Sequence, residues 1–452
     1  MEFASVILAA GAGKRMKSSL PKPLHRLGGK PMLSWALEAA HLAGASRQIV
    51  VMPKDALAVT KFLDTYRDIT GLDIIPAVQD PPLGTGHAVE AAKPALNMFS
   101  GVILVAFADT PLVTAETYRR MADHLLSVDD AAVVCLGFDA DDPTGYGRLI
   151  TSSSGQVEAI VEEKNTNPAE AAIRFVNAGI MAIRAPLAFE LLEDCPFNEV
   201  SGEKYLTDIV AAARAKGHAA LCLKAEQAEV MGINSRHDLA LAEAELQKRL
   251  RWAAMEAGAT LIAPETVHLH YDTVLEKDVI IEPHVVFGPG VIIGEGSEIR
   301  AFSHLEGVRT GACCIIGPYA RLRPGTTLGE GVRIGNFVET KNTTMGDLSK
   351  ANHLTYLGDT TVGTKANIGA GTITCNYDGT SKHSTHIGDE AFIGSNTSLV
   401  APVSVGDRAM IGAGSTITEP VEADSLAVAR AETRHLSGGA KRFREKRRED
   451  VK

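Results

Sequence analysis

The sequence predicts two folds in series: an α/β domain built on a mostly parallel sheet, then a parallel β-helix of six-residue turns, with one long helix between them. Three observations predict it. Apolar runs alternate with longer amphipathic stretches from Glu2 to about Met231. A proline-free run rich in Ala, Leu, Glu, Lys and Arg occupies 235–258, and beyond Gly258 small aliphatic residues recur at every sixth position.

In the first part, the runs Phe3 to Ala9, Gln48 to Met52, Val102 to Ala108, Ala131 to Gly137, Phe175 to Ala182 and Ala219 to Lys224 read as buried strands. Pro31 to Ala43 and Leu206 to Ala215 read as covering helices. Ser235 to Gly258 (SRHDLALAEAELQKRLRWAAMEAG) reads as one long helix, either a rigid connector or the last helix of the first domain. The expected division is 1–234, a helical linker 235–258, and 259–452.

Beyond the linker, Ile316, Leu322, Leu328 and Ile334 keep six-residue phase, and so do Ile387, Ile393, Leu399, Val405, Ile411 and Ile417. Ile280, Val286 and Ile292 form an earlier run, with irregular spacing between Glu298 and Gly311. That period fits neither an α-helix nor an alternating strand, but it fits flat faces that turn at every sixth residue. Three faces close a coil of about eighteen residues, giving roughly seven to eight coils from Ile280 to Ile417. The phase slips between Ile368 and Ile387, where CNYDGTSKHSTH is expected to leave the prism as a functional loop.

A chain of 452 residues exceeds one compact core. Its formal charge of −10 argues against broad nucleic-acid binding while leaving room for local basic pockets. Six cysteines without a Cys-x-x-Cys pair are expected to be free thiols. No apolar run approaches the ~18 residues that a membrane span needs, and the first residues lack the basic flank of a signal peptide. The expected compartment is the cytoplasm. The closing KRFREKRREDVK is expected to be a disordered, solvated tail.

Leu8 to Met16 (LAAGAGKRM) follows directly on a strand, so Gly11 and Gly13 can bring backbone N–H groups against phosphate oxygens. The dinucleotide fingerprint fails because Met16 stands at its third glycine. The P-loop fails because Arg15 follows Lys14. What remains is a glycine turn with two cations suited to a triphosphate, Arg15 and Lys22, the latter in LPKPL.

LAAGAGKRM with LPKPL resembles the start of the sugar-phosphate nucleotidylyltransferases. LGTGHA, Asp109 after VILVAFA, PTGYGR, VEEKN, VNAG, GEKYLTD and GIN follow in that family's order. With the second half included, the whole chain resembles the bifunctional N-acetylglucosamine-1-phosphate uridylyltransferases and glucosamine-1-phosphate N-acetyltransferases. The resemblance implies a Rossmann-like nucleotidyltransferase domain and a left-handed β-helix. It also implies a homotrimer whose acyl sites are shared between neighbours, and a cytoplasmic role in peptidoglycan and lipopolysaccharide precursor supply.

By the same resemblance, Asp109 and Asn234 are Mg2+ ligands, and Arg15 and Lys22 neutralise the triphosphate of UTP. Leu8, Ala9, Ala10 and Gly11 belong to the nucleotide loop. Gln79, Gly84 and Thr85 read the uracil, while Gly147, Glu162 and Asn177 hold the sugar. The sequence departs from the family pattern at Ala12, Pro82, Phe107 and Ala108, which removes a lysine, a glutamine amide and a tyrosine hydroxyl.

Acetyl transfer from a thioester needs a neutral amine and hence a base. His353 in ANHLTYLGD is the candidate. Arg323, Lys341, Tyr356 and Asn367 match the sugar-phosphate site, and Glu339 is expected to orient His353. Ala370, Asn376, Tyr377, Ser395, Ala413 and Arg430 match acetyl-CoA positions. Two alternatives remain at this stage: a pyrophosphorylase of another sugar with a regulatory β-helix, and a β-helix that is a trimerisation scaffold alone.

Overall fold

The computed structural model describes residues 3–11 and 13–449, so Met1, Glu2, Ala12 and the last three residues lie outside the description. The chain divides into two compact units, Met1–Lys248 and Arg249–Lys452.

Seven strands form the spine of the first unit: β1 (Phe3–Leu8), β2 (Arg47–Pro53), β3 (Ile74–Gln79), β4 (Val102–Phe107), β5 (Ala131–Asp139), β6 (Phe175–Arg184) and β7 (Ala219–Lys224). Their order is β7-β5-β6-β4-β1-β2-β3, with β6 antiparallel to both of its neighbours and the other pairs parallel. A hairpin, Arg148–Thr151 and Val157–Val161, joins β6 through Val176 and Arg148. The strands are apolar on both sides because both faces are covered. Val6, Ile49, Val105 and Ile183 pack with Leu191 and Ile209, whereas Ile7 and Val50 pack with Leu33 and Leu37 of the helix Met32–Ala43. The chain leaves β1 in opposite directions to reach β2 and β4. A crevice therefore opens past the carboxyl ends of β1 and β4, where open α/β sheets take ligands.

The long helix is continuous from Arg236 to Glu256. In the second unit, successive coils stack Leu261, Ile281, Ile299, Ile316, Ile334, Ala351, Ile368, Ile393 and Ile411 in parallel register along one face of ten strands. These residues fill the core of a parallel β-helix. The early run has a different phase from the one expected: Ile281, Phe287 and Ile293 are buried, while Ile280 is 41% exposed. The expected exit from the prism lies between the strands Ile373–Cys375 and Thr385–Ile387. The tail differs from expectation, since Gly439–Glu449 is an exposed helix. Its residues favour helix, and Lys441 pairs with Glu445 one turn on.

All six cysteines are free. Among the described residues, no helix is long and apolar enough to cross a membrane.

Candidate functional site

In the first unit, the crevice is a cavity of about 590 Å³. Leu8, Ala10 and Gly11 reach it from the end of β1, Gln79 from the end of β3, and Asp109 from just beyond β4. Gly13 turns the loop with φ +57°, and a Cβ there would meet Lys22 Cβ at 2.8 Å. This close approach packs the glycine loop against the stem of Lys22. Buried Met16 anchors the short turn Lys14–Met16, on which exposed Arg15 lines the cavity. Ala9 does not line it: it is buried, and its N–H donates to Val51 O at 2.8 Å, tying β1 to β2.

The Lys22 ammonium donates to Asp109 Oδ2 and, at 2.8 Å, to Asn234 Oδ1. Asn234 is held there from two directions. Its N–H donates to Asp238 Oδ2 at 2.9 Å, and the preceding Ile233 N–H donates to Asp109 O at 2.8 Å. One carboxylate oxygen and one amide oxygen thus converge on a single cation. That pair of hard oxygens would suit a divalent metal ion.

At the other end of the cavity, Gly84 adopts φ +99°, and a Cβ there would lie 2.4 Å from Lys204 O. Only glycine fits. Thr85 opens the next helix, and its Oγ1 accepts from Leu206 N at 3.0 Å. A second cavity of about 460 Å³ shares Thr85, Phe107 and Tyr205 with the first and adds Gly147, Glu162 and Asn177. Asn177 is buried, with its N–H on Gly147 O at 2.8 Å, and Glu162 accepts from Thr207 Oγ1 at 3.3 Å. Apart from Ala9, the candidate residues of this unit are brought to two adjoining cavities. Glu203 and Tyr205 line them as well. Their motif, GEKYLTD, was legible, but nothing in it marked those two side chains.

In the second unit, the acetyl-transfer candidates follow a corner of the prism. Phe337, Leu354, Gly371, Asn396 and Gly414 have left-handed backbones with φ of +56°, +48°, +75°, +55° and +75°. The residue before each is Asn336, His353, Ala370, Ser395 or Ala413. Backbone bonds climb this corner from coil to coil: Leu354 N to Asn336 O, Gly371 N to His353 O, Asn396 N to Ala370 O, and Gly414 N to Ser395 O. Arg430 Nη1 caps the column on Ala413 O at 2.6 Å.

His353 is exposed, with Nδ1 3.1 Å from Asn336 Oδ1. That carbonyl oxygen makes Nδ1 the donor, which leaves the Nε2 lone pair free to take a proton. The expectation for Glu339 is corrected here: its carboxylate accepts from Arg323 Nη1 at 2.9 Å, and the guanidinium is the stronger partner. Lys341 faces Lys382, a loop residue that sequence reading passed over. The contact with Lys382, its charge and the charge of Arg323 lower the Lys341 pKa. Lys341, Lys382 and Arg323 outnumber the nearby carboxylates of Glu339 and Asp359, and the cationic excess suits a phosphate.

Tyr356 and Asn376 lie over Gly358, where a Cβ would sit 2.4 Å from Tyr356 Oη and 2.7 Å from Asn376 Nδ2. Asn367 stands on the face beside them, paired with Lys350 and Phe392. Tyr377 is exposed on the loop, its hydroxyl donating to Gly379 O at 2.7 Å.

Comparison with known proteins agrees with both halves. Residues 5–165 match the MobA-like NTP transferase domain, and 272–307, 307–342 and 384–419 match the bacterial transferase hexapeptide (six repeats). The bifunctional protein GlmU of Azorhizobium caulinodans is 53% identical over 97% of this chain and 96% of its own length. Those of Roseobacter denitrificans and Sphingopyxis alaskensis are 50% and 49% identical, over 95% and 98% of this chain and 94% and 96% of their own. The chain belongs to the GlmU family of bifunctional enzymes of UDP-N-acetylglucosamine synthesis, a nucleotidyltransferase unit followed by a hexapeptide acyltransferase unit.

Proposed function

We propose that the second unit acetylates glucosamine-1-phosphate with acetyl-CoA, and that the first then joins N-acetylglucosamine-1-phosphate to UMP from UTP, releasing pyrophosphate. The functional divisions are 1–234 for uridylyl transfer, 235–258 as linker and 259–452 for acetyl transfer. His353 Nε2 takes a proton from the substrate amine, which attacks the thioester carbonyl as the CoA thiolate leaves. Arg323 and Lys341 hold the sugar phosphate, with Tyr356 and Asn367 against the sugar. Ala370, Asn376, Tyr377, Ser395, Ala413 and Arg430 carry acetyl-CoA along the corner column.

In the first unit, the sugar-phosphate oxygen attacks the α-phosphorus of UTP. A phosphate monoester has a second pKa of about 6, so it needs no general base at neutral pH. Asp109 and Asn234 would hold Mg2+, which would supply neutralisation of the triphosphate charge. Lys22, relieved of those two oxygens, pairs with phosphate oxygens alongside Arg15. Leu8, Ala10 and Gly11 line the nucleotide, with Ala9 supporting them from beneath. Gln79, Gly84 and Thr85 meet the uracil, and Gly147, Glu162 and Asn177 the sugar. The protein works in the cytoplasm as a homotrimer.

The observation that carries this reading is the pairing, in one chain, of the Lys22–Asp109–Asn234 cluster with a β-helix that carries both an exposed histidine held by Asn336 and a cluster of three cations. The test is to follow pyrophosphate release from UTP and N-acetylglucosamine-1-phosphate, and thiol release from acetyl-CoA and glucosamine-1-phosphate. Absence of either reaction in the purified chain sinks the bifunctional reading. Sedimentation equilibrium giving an active monomer sinks the trimer.

A further inference from the structure

Gln79 is 4% exposed, and its amide is held from two directions. Nε2 donates to Gly84 O at 2.9 Å and lies 3.2 Å from His87 Nδ1. The Gly84 carbonyl oxygen can only accept, so rotating the amide by 180° would set Oε1 against it. Nε2 thus faces both partners, and His87 Nδ1 accepts from it. His87 is therefore the tautomer with its proton on Nε2. Both Nε2 protons of Gln79 are engaged, so the group it offers a ligand is the carbonyl oxygen, an acceptor only.

Gln79, Gly84 and Thr85 line the 590 Å³ cavity, whereas His87, two residues further along the helix Thr85–Glu90, does not line it. We infer that His87 is the positioning residue for base selection: it fixes the Gln79 amide so that its carbonyl oxygen faces the nucleotide. This rests on the reading above that the base sits at Gln79. A base with a ring N–H at that edge, as uracil has at N3, finds an acceptor. Cytosine brings a lone pair at the same atom and meets repulsion, which is how a site built around one hydrogen bond rejects an analogue.

The test uses the full chain and steady-state uridylyl and cytidylyl transfer to N-acetylglucosamine-1-phosphate, comparing UTP with CTP. His87→Leu removes one of the two acceptors and loosens the amide, leaving Gly84 O alone to hold it. KM for UTP should rise about tenfold with kcat little changed, and the preference for UTP over CTP should fall by a similar factor, the scale of one hydrogen bond. His87→Asn keeps an acceptor oxygen near the place of Nδ1 and should restore most of that preference, which a merely structural role would not predict. A thermal melt of each variant checks that the first unit is folded.

Equal effects of His87→Leu and His87→Asn, or a His87→Leu enzyme with an unchanged nucleotide ratio, would overturn the inference. Gln79→Leu separates the two levels of the argument. If it abolishes the preference while His87→Leu leaves it intact, only the role of His87 fails. If Gln79→Leu also leaves the ratio unchanged, the base is not read at Gln79 and both fail.

Discussion

Asp359 Oδ2 accepts a hydrogen bond from Asn376 Nδ2 at 2.5 Å, and the other carboxylate oxygen accepts from Asn342 Nδ2 at 2.7 Å. A carboxylate without a proton only accepts, so both amides must present their nitrogen, and Asn376 turns its oxygen away from Asp359. Burial raises the Asp359 pKa, but the bonds from Asn342 and Asn376, with the charges of Lys382 and Lys341, outweigh it and hold the pKa below the usual carboxylate value. The anion thereby connects the acetyl-transfer loop to the coil beneath it.

Asp359→Asn keeps the size of the side chain and tolerates the left-handed backbone at φ +48°. It removes the charge and one acceptor oxygen, so Asn376 loses its fixed orientation. Acetyl transfer should fall about tenfold, seen mainly in KM for acetyl-CoA, with uridylyl transfer unchanged. Thiol-release kinetics check this, and wild-type kinetics in both reactions would disprove it.

The loop itself is shaped by Asp378, which accepts from Thr380 N and Ser381 N at 2.7 Å each and pairs with His383 Nε2 at 2.8 Å. The Ser381 N–H, then His383, then the Thr380 N–H hold its pKa well below the ordinary carboxylate value. A depressed carboxyl pKa gives stability that is present above the unfolded value, near pH 4, and is lost as pH falls through the folded one. Amide protection over 376–384 should therefore persist from neutral pH down through pH 4, while Asp378→Ala should lose it already at neutral pH. Hydrogen exchange measures both, and protection that disappears in the wild type above pH 4 would count against the mechanism.

What the sequence revealed and concealed has physical causes. Ile387, Ile393, Leu399, Val405, Ile411 and Ile417 were legible because the six-residue phase holds over six successive faces, which settles it even at Leu399-Val400. At Ile280-Ile281 and Ile292-Ile293 two adjacent aliphatics fit equally well, and only packing selects the second of each pair. The strand β3 was missed because Pro76 interrupts it. At the edge of the sheet, the missing N–H costs no ladder bond. The candidate site residues were legible as ordered motifs, yet their partners were not: His87, Asn336, Asp359 and Lys382 meet them through contacts that stacking and loop closure create. The misassignment of Glu339 has the same origin. Sequence proximity to Lys341 says nothing of Arg323, which the coil brings alongside.

Metal removal should separate the two reactions. Asp109 supplies the only carboxylate oxygen on the Lys22 cluster among the described residues. Asp109→Ala should lower uridylyl transfer by orders of magnitude, and a chelator should do the same to the wild type. Acetyl transfer should survive both treatments, since the proposed base, His353, needs no metal. An Asp109→Ala enzyme with near-normal turnover at limiting Mg2+ would remove Asp109 from the metal site.

His353 provides the complementary test. Its Nδ1 is engaged by Asn336 Oδ1, and its Nε2 is the nitrogen left to accept a proton. Removing a general base typically costs about 10²- to 10⁴-fold, so His353→Ala should reduce acetyl transfer to glucosamine-1-phosphate by that order. The side chain is exposed, so truncating it leaves no cavity in the prism, whose core at this coil is Ala351 and Leu357. The fold and uridylyl transfer to N-acetylglucosamine-1-phosphate should therefore be nearly unchanged. Asn336→Ala offers a graded control: the base remains but its tautomer is no longer fixed, so acetyl transfer should fall less than in His353→Ala. Both reactions are followed separately on each folded variant. Loss of uridylyl transfer together with acetyl transfer in His353→Ala would contradict two independent sites, and an unchanged rate of acetyl transfer would mean that the amine gives its proton to another group.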